Sequence, residues 1–468
     1  MSTTRTEKDS LGAVDLPVDA LYGAQTARAI LNFPISGMTA HPQLIRAIAM
    51  VKMAAAGANR SLDLLTAAQS DAIISAAEEI VNGYHHDHFP VDVFQAGAGV
   101  SFHMNANEVI ANRANQILGT PLGSYDPVHP NDHVNYGQST NDVFPTAMRL
   151  GALLALEDLY PVLNSLAAAF AAKGHDFHHI MKSGRTHLQD AVPMRLGQEF
   201  SAYAVAIAKA HLNITLAADT LRELGLGGSA VGTGINTHPD YRIRAIANLS
   251  AISEQHLTPA EDMVYAMQSC APMATVSSAL RTLALEVIRI SNDLRLLSSG
   301  PNTGLAEIQL PALQPGSSIM PGKINPVLPE LTAMVGFQVI GLDTAVAYAV
   351  QAGQLELNVM MPTMSFNVLQ SIRILTNTLH QLDTLCIRGI TANRFRCEQY
   401  SQSTVSLATA LNPYIGYANA AEIVKESIAT GRSILAIARE KNLLTEEQIA
   451  DILDPARMAE PQIPLDKS

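Results

Sequence analysis

Apolar residues recur at helical spacing along most of this chain, and the polar residues between the apolar blocks gather in a few short stretches. Ala, Leu, Ile and Met at i, i+3 and i+4 predict helices over 41–83, 103–118, 142–174, 196–224, 239–253, 260–299, 328–351 and 363–391. Several of these are much longer than an average helix, which predicts a bundle of long packed helices. Strand-like alternation is sparse and short. From about 391 the pattern changes to short helical segments, and Thr445-Glu446-Glu447 opens the last of them with acids in its first turn.

Composition narrows the functional classes. The chain has 468 residues, 48% hydrophobic and 15% charged, which is globular and long enough for more than one domain. A net charge of −12 leaves no electrostatic footprint for nucleic acid, although a locally basic pocket can still hold an anion. The three cysteines, Cys270, Cys386 and Cys397, form no CxxC pair. That opposes a zinc site or disulfide framework and points to a reducing cytoplasm; no metal or cofactor is expected. The start, MSTTRTEKDSLGAV, lacks the apolar run of a secretory signal. The most apolar window, 331–350, carries Gln338 and Asp343 among many Ala and Gly, and reads as a buried bundle helix rather than a membrane span.

The chemistry lies in the polar punctuation. Four loops stand out: FQAGAGVSFHMNANE (94–108), VHPNDHVNYGQSTND (128–142), KSGRTHLQD (182–190) and GSSIMPGKINP (316–326). Together they offer neutral donors (Ser139, Thr140, Asn141, Thr186, Ser317, Ser318), a cation and an amide (Lys323, Asn325), and an acid–base pair in His187 and Glu330. Such a set suits a small carboxylate. Each piece alone has a plainer reading: Ser-Thr-Asn as a helix cap with Asn141 or Asp142 capping, Glu330 as a first-turn acid, HPND as a turn. A fifth loop, LGLGGSAVGTGINTHP (224–239), is glycine-rich but follows no strand and fits neither phosphate-binding pattern, so a tight helix-to-helix turn is expected.

Taken together, GSSIMPGKINP, GQSTND, GRTHLQDAVP and GGSAVGTGINTHP resemble the blocks of the aspartase/fumarase superfamily, in that family's order, from LYGAQTARA (21–29) to the end. The aspartate ammonia-lyases are nearest and the class II fumarases next. The resemblance implies a mostly α subunit of three domains: an N-terminal helical domain (1–137), a central long-helix bundle (138–390) and a small C-terminal helical domain (391–468). It implies a homotetramer with a twenty-helix core and active sites shared between three subunits. This accounts for polar loops that lie at opposite ends of long helices, too far apart to meet within one chain. No membrane or nucleic-acid partner is expected. The implied reaction is a reversible anti-elimination beside a carboxylate, in which preorganised donors stabilise a dianionic aci-carboxylate. Ser317 is the implied base, acting as an alkoxide on a loop that closes as a lid; Lys323 and Asn325 bind a carboxylate. Ser139, Thr140, Asn141 and Thr186 bind the other carboxylate or the leaving group, with Ser101 and Ser318 beside them. His187 contacts substrate and is oriented by Glu330.

The chain departs from the superfamily's pattern at several positions. Val100 stands where a substrate-contacting threonine is usual, Tyr136 replaces a lysine, Asn302 an arginine and His103 an asparagine. Met361 stands where aspartate ammonia-lyases carry an acid and fumarases a lysine. Deamination of L-aspartate to fumarate is the expected activity, with fumarate hydration as an alternative. Tyr136, Phe102 and His103 raise a further one, elimination of a larger or quaternary amine such as that of ergothioneine, through cation–π contact. A non-catalytic structural tetramer is opposed by the presence of Ser317, Lys323, Asn325, His187 and Glu330.

Overall fold

The structure, a computed structural model, describes residues 3–460. Residue contacts group the chain into two compact units. The first takes the chain up to Pro161 with Ala210–Ala284 and Val335–Thr376; the second takes Val162–Lys209, Leu285–Met334 and the chain from Asn377 on.

The first unit opens with an antiparallel hairpin, β1 (Thr4–Asp9) and β2 (Gly12–Pro17), followed by α1 (Ala24–Asn32), α2 (Pro42–Ser61), α3 (Ala67–Val81) and α4 (Val100–Ile117). The helix expected over 41–83 is two helices. Asp63 takes a positive φ of 58° after α2, and Thr66 and Gln69 then form a reciprocal capping box that starts α3. Glu108 of α4 caps α1 from across the unit: its buried carboxylate accepts the amides of Gly23, Gln25 and Thr26 at 2.9, 2.9 and 3.1 Å.

Five long helices follow: α5 (Thr140–Asp176), α6 (Leu196–Asp219), then, after α7 (Tyr241–Ser253) and α8 (Met263–Gln268), α9 (Ala271–Leu297), α10 (Val327–Gln351) and α11 (Met361–Gln381). The helix expected over 260–299 is α8 and α9, because Ser269 between them is extended. In the first unit, Tyr160 of α5 stacks on His211 of α6, and Asp343 of α10 pairs with Ser277 and Arg281 of α9. In the second, Phe170 of α5 packs against Phe200 and Tyr203 of α6, and Tyr203 donates to Asp293 of α9. These contacts make the long-helix bundle that the periodicity implied.

One expectation for the bundle needs correction. The window at 331–350 is not buried within the chain: Met334, Phe337 and Tyr348 of α10 are exposed, and so are Val205, Leu212 and Leu216 of α6. By length and composition alone, α5 and α10 are each apolar enough to cross a membrane.

The second unit also holds a hairpin, β3 (Met181–Thr186) with β4 (Gln189–Arg195), where only a connecting loop was expected. Its C-terminal helices close on their own apolar cluster of Leu407, Leu411, Ile423, Ile434, Ile437 and Ile449. Thr445 caps the helix after it through a capping box with Gln448.

Candidate active site

In the first unit, the N-termini of α4 and α5 are tied together. Gly97, Ala98 and Gly99 all have positive φ, so the chain turns sharply into α4 at Val100 and Ser101. Gly99 lies so close to Phe144 of α5 that an added Cβ would overlap its ring, and Phe102 meets the same ring edge-on at 6.2 Å. Val100 is 40% exposed beside this junction.

At the start of α5 the expected cap is present with the roles shared. Ser139 Oγ accepts from the Asn141 amide at 3.2 Å, and Asp142 Oδ1 accepts from the Ser139 amide at 2.9 Å. Asp142 Oδ2 also accepts the amides of Gly227 and Ser229, both at 3.0 Å, and Asn141 Nδ2 donates to the Ala230 carbonyl at 2.8 Å. The glycine-rich loop is therefore clasped onto the first turn of α5, but, against expectation, it follows a strand, the two-residue Glu223–Leu224, which pairs in parallel with Thr258–Pro259. Burial pushes the Asp142 carboxyl up to about 6, against the pull of its amide donors.

Behind Thr140 lies a group that the sequence reading missed. Thr140 Oγ1 is 2.7 Å from His103 Nδ1, and His103 Nε2 is 2.7 Å from Lys52 Nζ. Lys52 Nζ also reaches Asn135 Oδ1 at 3.0 Å and Gln138 Oε1 at 2.8 Å. Burial lowers the Lys52 ammonium well below its usual range, with Asp142 pulling the other way; burial and Lys52 together keep His103 neutral. The available signal was a single lysine inside the apolar run AIAMVKMAAAGA of α2.

In the second unit, the GSSIMPGKINP loop is closed at its neck. The Gly316 amide donates to the Lys323 carbonyl at 2.8 Å, and Asn325 Nδ2 donates to the Gly316 carbonyl at 2.8 Å. An added Cβ on Gly316 would sit 2.4 Å from the Lys323 oxygen, so only glycine fits the neck. At the tip, Ser317 Oγ accepts the amides of Ile319 and Met320 at 3.2 and 3.0 Å. Two amides aimed at one hydroxyl oxygen favour its charged form. Ser317 is half-buried and Ser318 after it is exposed, and the side chains of Ile319, Met320 and Ile324 stand out into solvent. A cleft of about 770 Å³ is lined by Lys323, Asn325 and Glu330 with Ser298, Ser299 and Asn393. Lys323 has no carboxylate partner among the described residues.

Thr186 and His187 stand at the tip of the β3–β4 hairpin. His187 and Leu188 form its two-residue turn with φ of 55° and 59°, a conformation that ordinary side chains adopt only under constraint. The strand pairing on either side of the turn, Thr186 opposite Gln189 and Arg185 opposite Asp190, supplies the constraint, and ion pairs anchor the base of the hairpin. Lys182, 1% exposed, lies 2.8 Å from Glu199 and 3.1 Å from the fully buried Glu307, which also pairs with Arg185 at 3.0 Å. No hydrogen bond or ion pair joins His187 to Glu330 among the described residues.

The departures sort by environment. Phe102 and His103 are buried, Phe102 among Phe89 and Phe144, so neither offers a face to a quaternary amine. Met361, 1% exposed, opens α11 inside the core. Tyr136 is half-buried and Asn302 exposed.

Long paired helices, an amide-cradled serine on a glycine-locked loop, and hydroxyl and amide groups at helix N-termini define a class of eliminating enzymes. The chain belongs to the aspartase/fumarase superfamily of lyases: the family described as Lyase matches residues 12–341, and that described as Fumarase C C-terminus matches 407–460. Within it, the chain is 49% identical to an aspartate ammonia-lyase of Pseudomonas canavaninivorans over 462 residues, covering 98% of each. Among solved structures it resembles a fumarate lyase:delta crystallin from Brucella melitensis bound to cobalt (TM-score 0.95, 48% identity, 98% of this chain and 100% of that one). It also resembles a class II fumarase from Schistosoma mansoni (TM-score 0.94, 38% identity, 97% and 99%).

Proposed function

We propose that the protein is a carbon–nitrogen lyase that converts L-aspartate to fumarate and ammonia. The observation that carries this reading is Ser317, whose hydroxyl oxygen receives two backbone amides on a loop that also presents Lys323 and Asn325. In the forward direction Ser317, as alkoxide, takes a proton from the carbon beside one carboxylate. The electron pair left behind spreads into that carboxylate, which Lys323 and Asn325 hold as the aci-dianion. It then returns to form the carbon–carbon double bond as the carbon–nitrogen bond breaks and ammonia leaves. Ser139, Thr140, Asn141 and Thr186 bind the second carboxylate and the amine, with Ser101 and Ser318 beside them. His187 contacts substrate, oriented by Glu330 of another copy.

A homotetramer with sites shared between three subunits fits two features of the single chain: the exposed apolar faces of α6 and α10, and the apolar side chains standing out from the Ser317 loop. Light scattering should give a mass near four times 50.0 kDa.

The activity test uses L-aspartate, L-malate and ergothioneine as separate substrates and follows the ultraviolet absorbance of the unsaturated product, which is fumarate from the first two and, from ergothioneine, the conjugated acid left when its trimethylamine departs. Turnover of aspartate far above the other two is expected. Turnover of malate alone would replace this reading with fumarate hydration.

A further inference from the structure

We propose that the buried Lys52–His103 pair fixes the polarity of the Thr140 hydroxyl, so that Thr140 meets the substrate as a hydrogen-bond donor to a carboxylate oxygen. His103 is then a positioning residue that acts through Thr140.

The argument counts protons. Asn135 Nδ2 donates to the Gln138 carbonyl at 3.2 Å, and Gln138 Nε2 donates to the Val134 carbonyl at 3.0 Å. Both amide nitrogens are thereby occupied, and both amide oxygens face Lys52 as fixed acceptors. Lys52 must spend two N–H bonds on them. Its third position, toward His103 Nε2, has two possible states. A charged ammonium has a third proton to donate, so Nε2 accepts and the neutral imidazole carries its proton on Nδ1. A neutral amine has a lone pair there instead, so Nε2 carries the proton and Nδ1 accepts.

The two states have opposite consequences at Thr140. In the first, Nδ1–H donates to Thr140 Oγ1 and the hydroxyl proton is free to turn outward. In the second, the hydroxyl proton is spent on Nδ1 and Thr140 offers only lone pairs. Both states satisfy the two fixed acceptors around Nζ, so the charge on Lys52 decides between them. Burial opposes the charge on Lys52; the two amide oxygens at 3.0 and 2.8 Å and the field of Asp142, a buried carboxylate that three backbone amides hold, favour it. Tyr241, the other buried titratable group facing Asp142, carries no compensating charge. The residue at 103 thus matters for more than volume. An imidazole bridges Lys52 to Thr140 with a defined direction, whereas an asparagine amide can present either its donor or its acceptor.

This inference rests on the substrate-binding role given to Thr140 above, and two measurements separate the two claims. Neutron diffraction from deuterium-exchanged crystals of the wild-type protein reads the relay directly. The expected map has a deuteron on His103 Nδ1, none on Nε2, and three on Lys52 Nζ. A deuteron on Nε2, or two on Nζ, overturns the proposal. Kinetics of His103→Asn read the consequence. KM for aspartate and the inhibition constant of succinate, a dicarboxylate that cannot eliminate, should rise together by about tenfold, while kcat changes much less. A fall in kcat at unchanged KM overturns the proposal. If the wild-type protein makes no fumarate from aspartate, the proposed function fails, and the neutron map still decides the relay.

Discussion

Gly316→Ala tests how much of the proposed activity depends on the neck of the Ser317 loop. An alanine Cβ would lie 2.4 Å from the Lys323 oxygen, 2.9 Å from its carbonyl carbon and 3.0 Å from the Asn325 nitrogen. All three are backbone atoms, so no side chain can swing away. Restoring ordinary contact requires the two sides of the neck to part by about 1 Å. That breaks the Gly316 N–H···O bond to Lys323 and the Asn325 side-chain bond to Gly316, worth roughly 1 kcal/mol each. The loop is largely exposed, so the freed groups return to water and the damage stays local. The melting temperature should fall by less than about 4 °C. Activity should fall far more, because Ser317 and Lys323 hang from opposite sides of this neck, and a misplacement of about 1 Å can lower turnover about 100-fold. Gly322→Ala is the matched control. Gly322 has a φ of 78°, but nothing lies within 4 Å of an added Cβ. It should meet only backbone strain of about 1 kcal/mol and keep activity within about tenfold of wild type. Fumarate absorbance and a thermal melt of both variants decide the matter. A Gly316→Ala protein with wild-type kcat/KM, or a Gly322→Ala protein that is the worse of the two, would refute the reasoning.

Three further outcomes are expected. Ser317→Ala should lose at least about 1,000-fold in turnover with an unchanged melting temperature, since its two amide partners can turn to solvent. Lys182→Met leaves the fully buried Glu307 with Arg185 alone and Glu199 without its lysine. It should destabilise the protein by about 3 kcal/mol, read by denaturant unfolding. For Asp142 the folded carboxyl titrates at about 6, above its ordinary value of 3.8. Between these values the folded state holds more protons than the unfolded one, so this group's contribution to stability is fully present below pH 3.8 and declines as pH rises through 6. Denaturant unfolding at pH 5 and pH 7 should therefore show wild type losing stability relative to Asp142→Asn as pH rises; a difference independent of pH would contradict the assignment.

Much of the fold was legible because helical periodicity is a local signal, and α5, α6, α7 and α10 begin and end within a few residues of their predicted bounds. The breaks between α2 and α3 and between α8 and α9 were not, since apolar spacing continues across both and the interruption is one residue's backbone angle. The β3–β4 hairpin was hidden for a related reason. Its two-residue turn is His187-Leu188, without the glycine or asparagine that usually announces a left-handed turn, and the base of the hairpin is anchored by Lys182 and Glu307, 125 positions apart.

The same division runs through the candidate site. The sequence by itself determined which chemical groups the loops carry, because a serine, a lysine and a pair of prolines within eleven residues are written contiguously. Only the tertiary structure decided what each group is bonded to. The amides of Gly227 and Ser229 on Asp142 and the line from Lys52 through His103 to Thr140 depend on distances between segments, and the last of these joins three separate helices, whereas the two amides on Ser317 come from the turn of its own loop. Hydrogen-bond direction is set by the donors and acceptors that surround a group in space, and their spacing along the chain carries no record of it.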